Sequence, residues 1–113
     1  MVNTFELPLI ESDEFRRLQI LFDADFQIVR RDQRKFEIFF LNHFGLKFPQ
    51  VKWKNVTVSE GSVVVDFAIT GLSDDLDKTS QSLANDIGSG KADIEYPKGT
   101  VWKAHRGSIP SRV

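Results

Sequence analysis

Few residues in this chain can do chemistry, and their spacing narrows what that chemistry is. There are no cysteines, which removes disulfides, thiolate metal sites and a cysteine nucleophile. Of the two histidines, His43 falls near the apolar stripe of a helical segment and His105 in a polar tail. With no His pair at i, i+4, a transition-metal site lacks its ligands, and no cofactor is implied. Asp74-Asp75-Leu76-Asp77 gathers carboxylates but lacks the alternating oxygen ligands and the Gly of an EF-hand loop. Helix capping accounts for it better. Gly88-Ser-Gly-Lys91 invites a phosphate-loop reading, yet the positions such a loop needs as Gly and as Ser or Thr are Asn85 and Ala92 here. Ser62 stands in Gly61-Ser-Val-Val-Val65 without a neighbouring base in the sequence, although triad partners need not be close along the chain. Asn55-Val-Thr57 is an N-glycosylation triplet with no Pro inside it. Trp53, Tyr96 and Trp102 are assigned by default to core or sheet-face packing.

The elements that must carry these residues follow from periodicity. Phe5 to Ile10 is apolar but interrupted by Pro8, so residues 1–14 are expected to form an arm or an edge strand. Leu18, Ile20 and Phe22 alternate with Arg17, Gln19 and Leu21, the period-2 pattern of a half-buried strand. From Phe26 to Phe44 the period changes: Val29, Phe36, Phe40 and Phe44, with Gln33 and His43 between them, share one helical face. Gly45 and Pro49 are expected to end that helix. Val51 to Val58 is rich in β-formers, but its apolar phase shifts between Trp53 and Val56, which predicts a bulge near Lys54 or Asn55. After the Ser59-Glu60-Gly61 turn, Val63, Val65, Phe67 and Ile69 alternate cleanly, so the two segments form a hairpin. A second helix is expected from Asp74 to Ile87, with Ser73 as its N-cap and Leu72, Leu76, Ser80, Leu83 and Ile87 as its buried stripe. Gly88-Ser-Gly90 ends it, and a last strand runs through Ala92, Ile94 and Tyr96, with Val101-Trp102 as a possible extension.

The order strand, helix, strand, strand, helix, strand predicts an α+β fold of the ferredoxin-like β-α-β-β-α-β kind, one antiparallel sheet with two helices on one face. The domain is expected over residues 15–103, with residues 104–113 as a polar tail or linker. A length of 113 residues suits one domain, and 41% hydrophobic residues, ten of them Phe, suit a packed core. With 15 basic and 16 acidic side chains the net charge is -1, which gives no electrostatic case for nucleic acid or an anionic membrane surface. Neither a membrane-spanning run nor a signal-peptide pattern is present, so the chain reads either as cytosolic or as a fragment of a larger chain.

An amphipathic helix, then Val51 to Val58, then Gly61-Ser-Val-Val-Val-Asp-Phe67 is a combination that resembles SEA domains, membrane-proximal extracellular modules of mucins, dystroglycan and related glycoproteins. The likeness covers about residues 15–96 in element order, and residues 51–67 at the level of motif. It implies a cell-surface glycoprotein module that acts in adhesion or shedding, with protein or glycan partners and a membrane-attached parent chain. It also implies that the Gly61–Ser62 bond breaks without a protease. Ser62 would be the nucleophile and Gly61 the scissile carbonyl, in a single-turnover event and not enzyme catalysis in the usual sense. Asn55 would be a glycosylation site facing solvent, with Val56 and Val58 inward. The competing expectation is an intracellular ferredoxin-like domain that stays intact and binds a protein partner through an open sheet face or edge.

Overall fold

A computed structural model describes residues 14–105; the expected N-terminal arm, apart from Glu14, and the tail from residue 106 onward lie outside the described residues. Among the described residues five strands form one antiparallel sheet. In chain order they are β1 (Glu14–Asp23), β2 (Lys52–Glu60), β3 (Val63–Gly71), β4 (Ile94–Glu95) and β5 (Val101–His105). Their order across the sheet is β2-β3-β1-β5-β4. Three helices accompany them: α1 (Gln27–Arg30), α2 (Gln33–Lys47) and α3 (Ser73–Ser89). The fold is therefore α+β with an antiparallel sheet, as the periodicity predicts, but with one more strand and one more helix than expected.

Both additions have local causes. The single helix expected from Phe26 to Phe44 is broken at Asp32, whose backbone leaves the helical region (φ -146°, ψ 77°) and whose side chain accepts a hydrogen bond from the Lys35 amide. That is an N-cap, and it restarts the helix. Val29 and Phe36 lie seven residues apart, so the apolar phase passes across the break unaltered, and Val29, Phe36, Phe40 and Phe44 are all buried as the periodicity requires. Gln33 is exposed, and α2 runs through Gly45 to Lys47 before Phe48 caps it, two residues beyond the expected stop. At the other end of the chain, the expected last strand is a hairpin. Tyr96 N–H donates to Thr100 O (2.8 Å) and Thr100 N–H to Pro97 O (2.9 Å), which turns β4 back into β5. β5 runs to His105, so Ala104 and His105 belong to the sheet and not to the tail.

Helix α3 also differs in detail from the sequence-based stripe. Ser73 is its first residue, and Leu72 holds the cap position without a side-chain hydrogen bond. Leu72 is extended (φ -72°, ψ 146°) and half-exposed, so it leaves the stripe. Thr79 takes a buried place instead, and its hydroxyl accepts a hydrogen bond from Gln50 Nε2 at 3.1 Å. Ser80 is half-buried. Gly90, in the left-handed region (φ 83°), ends the helix.

The core is one cluster. Leu18, Ile20 and Phe22 of β1 and Val63, Val65, Phe67 and Ile69 of β3 meet the buried faces of α2 and α3. Phe40 packs edge-on to Phe22, and Trp53 stacks on Phe67 with ring centroids 4.9 Å apart. Trp102 is fully buried against Phe36, and Trp53 is partly buried, so both tryptophans serve the core.

Candidate self-cleavage turn

The tip of the β2–β3 hairpin is built by the two strands that lead into it. β3 alternates, and its partner register closes at Glu60 opposite Val63, leaving Gly61 and Ser62 as a two-residue loop. Such loops match the twist of the strands when both central residues have positive φ. Gly61 has φ +127° and Ser62 has φ +56°. Gly61 suits this position because few L-residues adopt that φ. Ser62 has a Cβ and adopts the left-handed region regardless, at a cost of about 1 kcal/mol. The Gly61–Ser62 peptide bond thus joins two residues held at positive φ by the ladder on either side. Both are exposed, so water reaches the bond.

The tip is tied to the helical layer by an ion pair, Arg30 Nη2 to Glu60 Oε2 at 3.2 Å. Arg30 also lies over the Phe26 ring, 5.4 Å from its centroid. Both partners of the pair are largely exposed, so it contributes at most about 1 kcal/mol. The sequence carries no signal for this contact, since the two residues lie in different elements 30 positions apart.

Among the described residues Ser62 Oγ has no hydrogen-bond partner. His105 reaches the same end of the sheet, because it lies opposite Leu21, which in turn lies opposite Val64. Two strand spacings put the His105 backbone roughly 10 Å from that of Val64. His43 is held elsewhere, stacked on Phe39 at 5.7 Å and edge-on to Phe44 at 4.8 Å. Burial, and then the Lys47 ammonium, lower its pKa from the ordinary 6.5. The arrangement therefore offers a hydroxyl beside a strained turn, and among the described residues no base is hydrogen-bonded to it.

Asn55 sits in the bulge that the phase shift predicts. Lys54 lies opposite Ala68 and Thr57 opposite Asp66, so Asn55 and Val56 together face the single residue Phe67. Asn55 takes φ +56°, a conformation Asn tolerates better than most residues. The bulge turns Asn55 and Thr57 to solvent while Val56 is buried and Val58 half-buried. The carboxylates of Asp74 and Asp75 lie in the first turn of α3, and Asp77 pairs with Arg16 at 2.7 Å. No group of three or more His, Asp or Glu side chains suited to a metal ion is found among the described residues. No described helix is long and apolar enough to cross a membrane.

Comparison with protein-family models, with curated proteins and with solved structures finds no match to this chain.

Proposed function

We propose that this chain is a SEA-type module of a cell-surface glycoprotein, which breaks its own Gly61–Ser62 bond and serves in adhesion or shedding. The observation that carries this reading is Ser62 at φ +56° directly after Gly61 at φ +127°, in the tightest loop of the sheet. Folding supplies the energy that holds Ser62 there, and cleavage releases it. The sheet also fits the split β-α-β-β-α-β plan if β4 is an extra strand added beyond β5, since β2-β3-β1-β5 is then its four-strand order.

The chemistry balances with water alone. Ser62 Oγ adds to the Gly61 carbonyl carbon through a five-membered ring. The C–N bond breaks, an ester C–O bond forms, and the hydroxyl proton ends on the freed Ser62 amine. Water then hydrolyses the ester, leaving a Gly61 carboxylate and restoring the Ser62 hydroxyl. One bond is broken once per chain, so the module is not an enzyme that turns over.

Asn55 supports an extracellular setting, because Asn55 and Thr57 of its triplet are exposed on a bulge at an edge strand. The competing intracellular reading calls for an apolar patch on the helix-free face of the sheet. That face carries Arg17 and Lys54 as well as Phe15 and Leu21, and Gln19 donates to Asp66 across it at 2.9 Å. It is a mixed surface and gives that reading little support.

Intact mass under denaturing conditions, on protein secreted from eukaryotic cells, tests both parts. The expected result is two pieces, residues 1–61 and 62–113, with a glycosidase-sensitive mass on the first. Ser62→Ala is expected to give one full-length species. A single intact, unglycosylated chain for the parent would remove the self-cleaving cell-surface module and leave the intracellular binding domain.

A further inference from the structure

A groove opens in the described surface away from the hairpin tip, where the break between α1 and α2 faces the turn between β4 and β5. Its volume is about 550 Å³. That is the size of a small-molecule site.

Its apolar wall is aromatic. Phe39 and Tyr96 meet with ring centroids 4.9 Å apart, Pro97 continues the surface on one side, and the partly exposed Ile28 continues it on the other. Phe36 and Trp102 back the Tyr96 ring from the core, each edge-on to it, so the wall is rigid. Five charged side chains form the rim: Arg31, Lys35 and Lys98 against Asp32 and Glu95.

The two signs are not equally available. Asp32 is committed to the Lys35 amide at 3.0 Å, and Glu95 to the Gly99 amide at 2.5 Å. Arg31, Lys35 and Lys98 make no ion pair and no side-chain hydrogen bond among the described residues. Three uncommitted cations thus stand over an aromatic wall. The first turn of α2, a helix of 15 residues, adds the positive end of its dipole at the same rim. The Tyr96 hydroxyl, whose pKa is raised by burial and then by Asp32, stays a neutral hydrogen-bond donor over the physiological range.

We propose that this groove binds a small organic anion, a carboxylate carried on a flat apolar body. The apolar body lies on Phe39, Tyr96 and Pro97, and the carboxylate meets Arg31, Lys35 and Lys98. The carboxylate can belong to a free acid or to the C-terminus of a peptide that ends in an aromatic residue. Binding does not depend on the cleavage of Gly61–Ser62.

The test is titration of the uncleaved Ser62→Ala protein, followed by amide chemical shifts in NMR. Three probes are used: 2-naphthoate, its cationic counterpart 2-naphthylmethylamine, and the peptide acetyl-Gly-Gly-Phe with a free C-terminus. Shifts confined to residues 28–39 and 95–99 are expected with 2-naphthoate and not with the amine. Arg31→Gln, Lys35→Gln and Lys98→Gln together are expected to weaken binding by about tenfold, the sum of three modest exposed charge contacts. Added salt is expected to weaken it as well. Lys52→Gln with Lys54→Gln, on the far edge strand, is the control and leaves binding unchanged. Tighter binding of the peptide would assign the groove to chain termini, and tighter binding of 2-naphthoate to free acids. Equal shifts with acid and amine, shifts spread over the whole molecule, or indifference to the triple substitution would each overturn the proposal.

Discussion

Ser62 illustrates how a single backbone angle can carry more functional information than a side chain. Its hydroxyl is exposed and has no hydrogen-bond partner among the described residues, so it is chemically ordinary; what sets it apart is φ +56° on a residue with a Cβ. Ser62→Ala and Ser62→Gly both remove the nucleophile and keep the chain whole, but only Gly removes the left-handed penalty. The Gly variant is therefore expected to be more stable than the Ala variant by about 1 kcal/mol in urea unfolding. Equal stabilities would mean that the turn stores no strain for cleavage to release. His43 offers a second residue-scale test. Because its pKa in the fold lies below 6.5, the unfolded chain takes up the proton first as pH falls. Stability is expected to be full above about pH 6.5 and to decline below it as the unfolded chain gains its proton. His43→Gln is expected to flatten that part of the profile, measured as urea midpoints between pH 5 and 7.5.

At the scale of elements, the break between α1 and α2 rests on Asp32. Removing its carboxylate with Asp32→Ala strips the Lys35 amide of its acceptor and is expected to cost about 1 kcal/mol, read as a lower urea midpoint. An unchanged midpoint would mean that packing of Phe36 and Phe40 fixes the start of α2 without the cap. This break also marks the limit of what periodicity reveals. The strands were legible because alternation is a local signal: Leu18, Ile20 and Phe22 point inward, as do Val63, Val65 and Phe67. The bulge was legible as well, because the phase slip between Trp53 and Val56 has one simple geometric cure. The helix break was hidden, since an apolar spacing of seven from Val29 to Phe36 reads the same with or without an interruption. Leu72 and Thr79 were misplaced for a related reason. Hydrophobicity put Leu72 on the stripe, but an extended residue has no helical face, while Thr79, three residues after Leu76 and four before Leu83, is on the buried face and was passed over because its side chain is polar. At the candidate site, Gly61, Ser62 and Asn55 were all visible as sequence, but not the angles that distinguish them. The aromatic groove was invisible, because it needs Asp32 and Pro97 brought together from opposite ends of the fold.

The whole molecule decides what a broken Gly61–Ser62 bond would do. The first piece contributes β1 and β2 and the second contributes β3, β4 and β5, so the sheet order β2-β3-β1-β5-β4 interleaves the two pieces. β3 lies between two strands of the other piece, paired with β2 up to Glu60 opposite Val63 and with β1 from Glu14 opposite Gly71 to Phe22 opposite Val63. β1 in turn is held by β5 through Leu21, Phe22 and Asp23. Phe36, Phe40 and Phe44 come from the first piece and Phe67, Leu83 and Trp102 from the second, yet they form one core. Separation must therefore strip three ladders and open the core at once, which is unfolding under another name. Cleavage changes one thing in the thermodynamics: the unfolded state becomes two molecules in place of one, and gains entropy on dilution. The urea midpoint of the cleaved protein is expected to rise with protein concentration, while that of Ser62→Ala is expected not to depend on it. In native size-exclusion chromatography both are expected to run as the same compact species. A cleaved protein whose pieces elute apart without denaturant would show that the interleaved sheet does not hold them, and a shedding role that waits for force would then lose its physical basis.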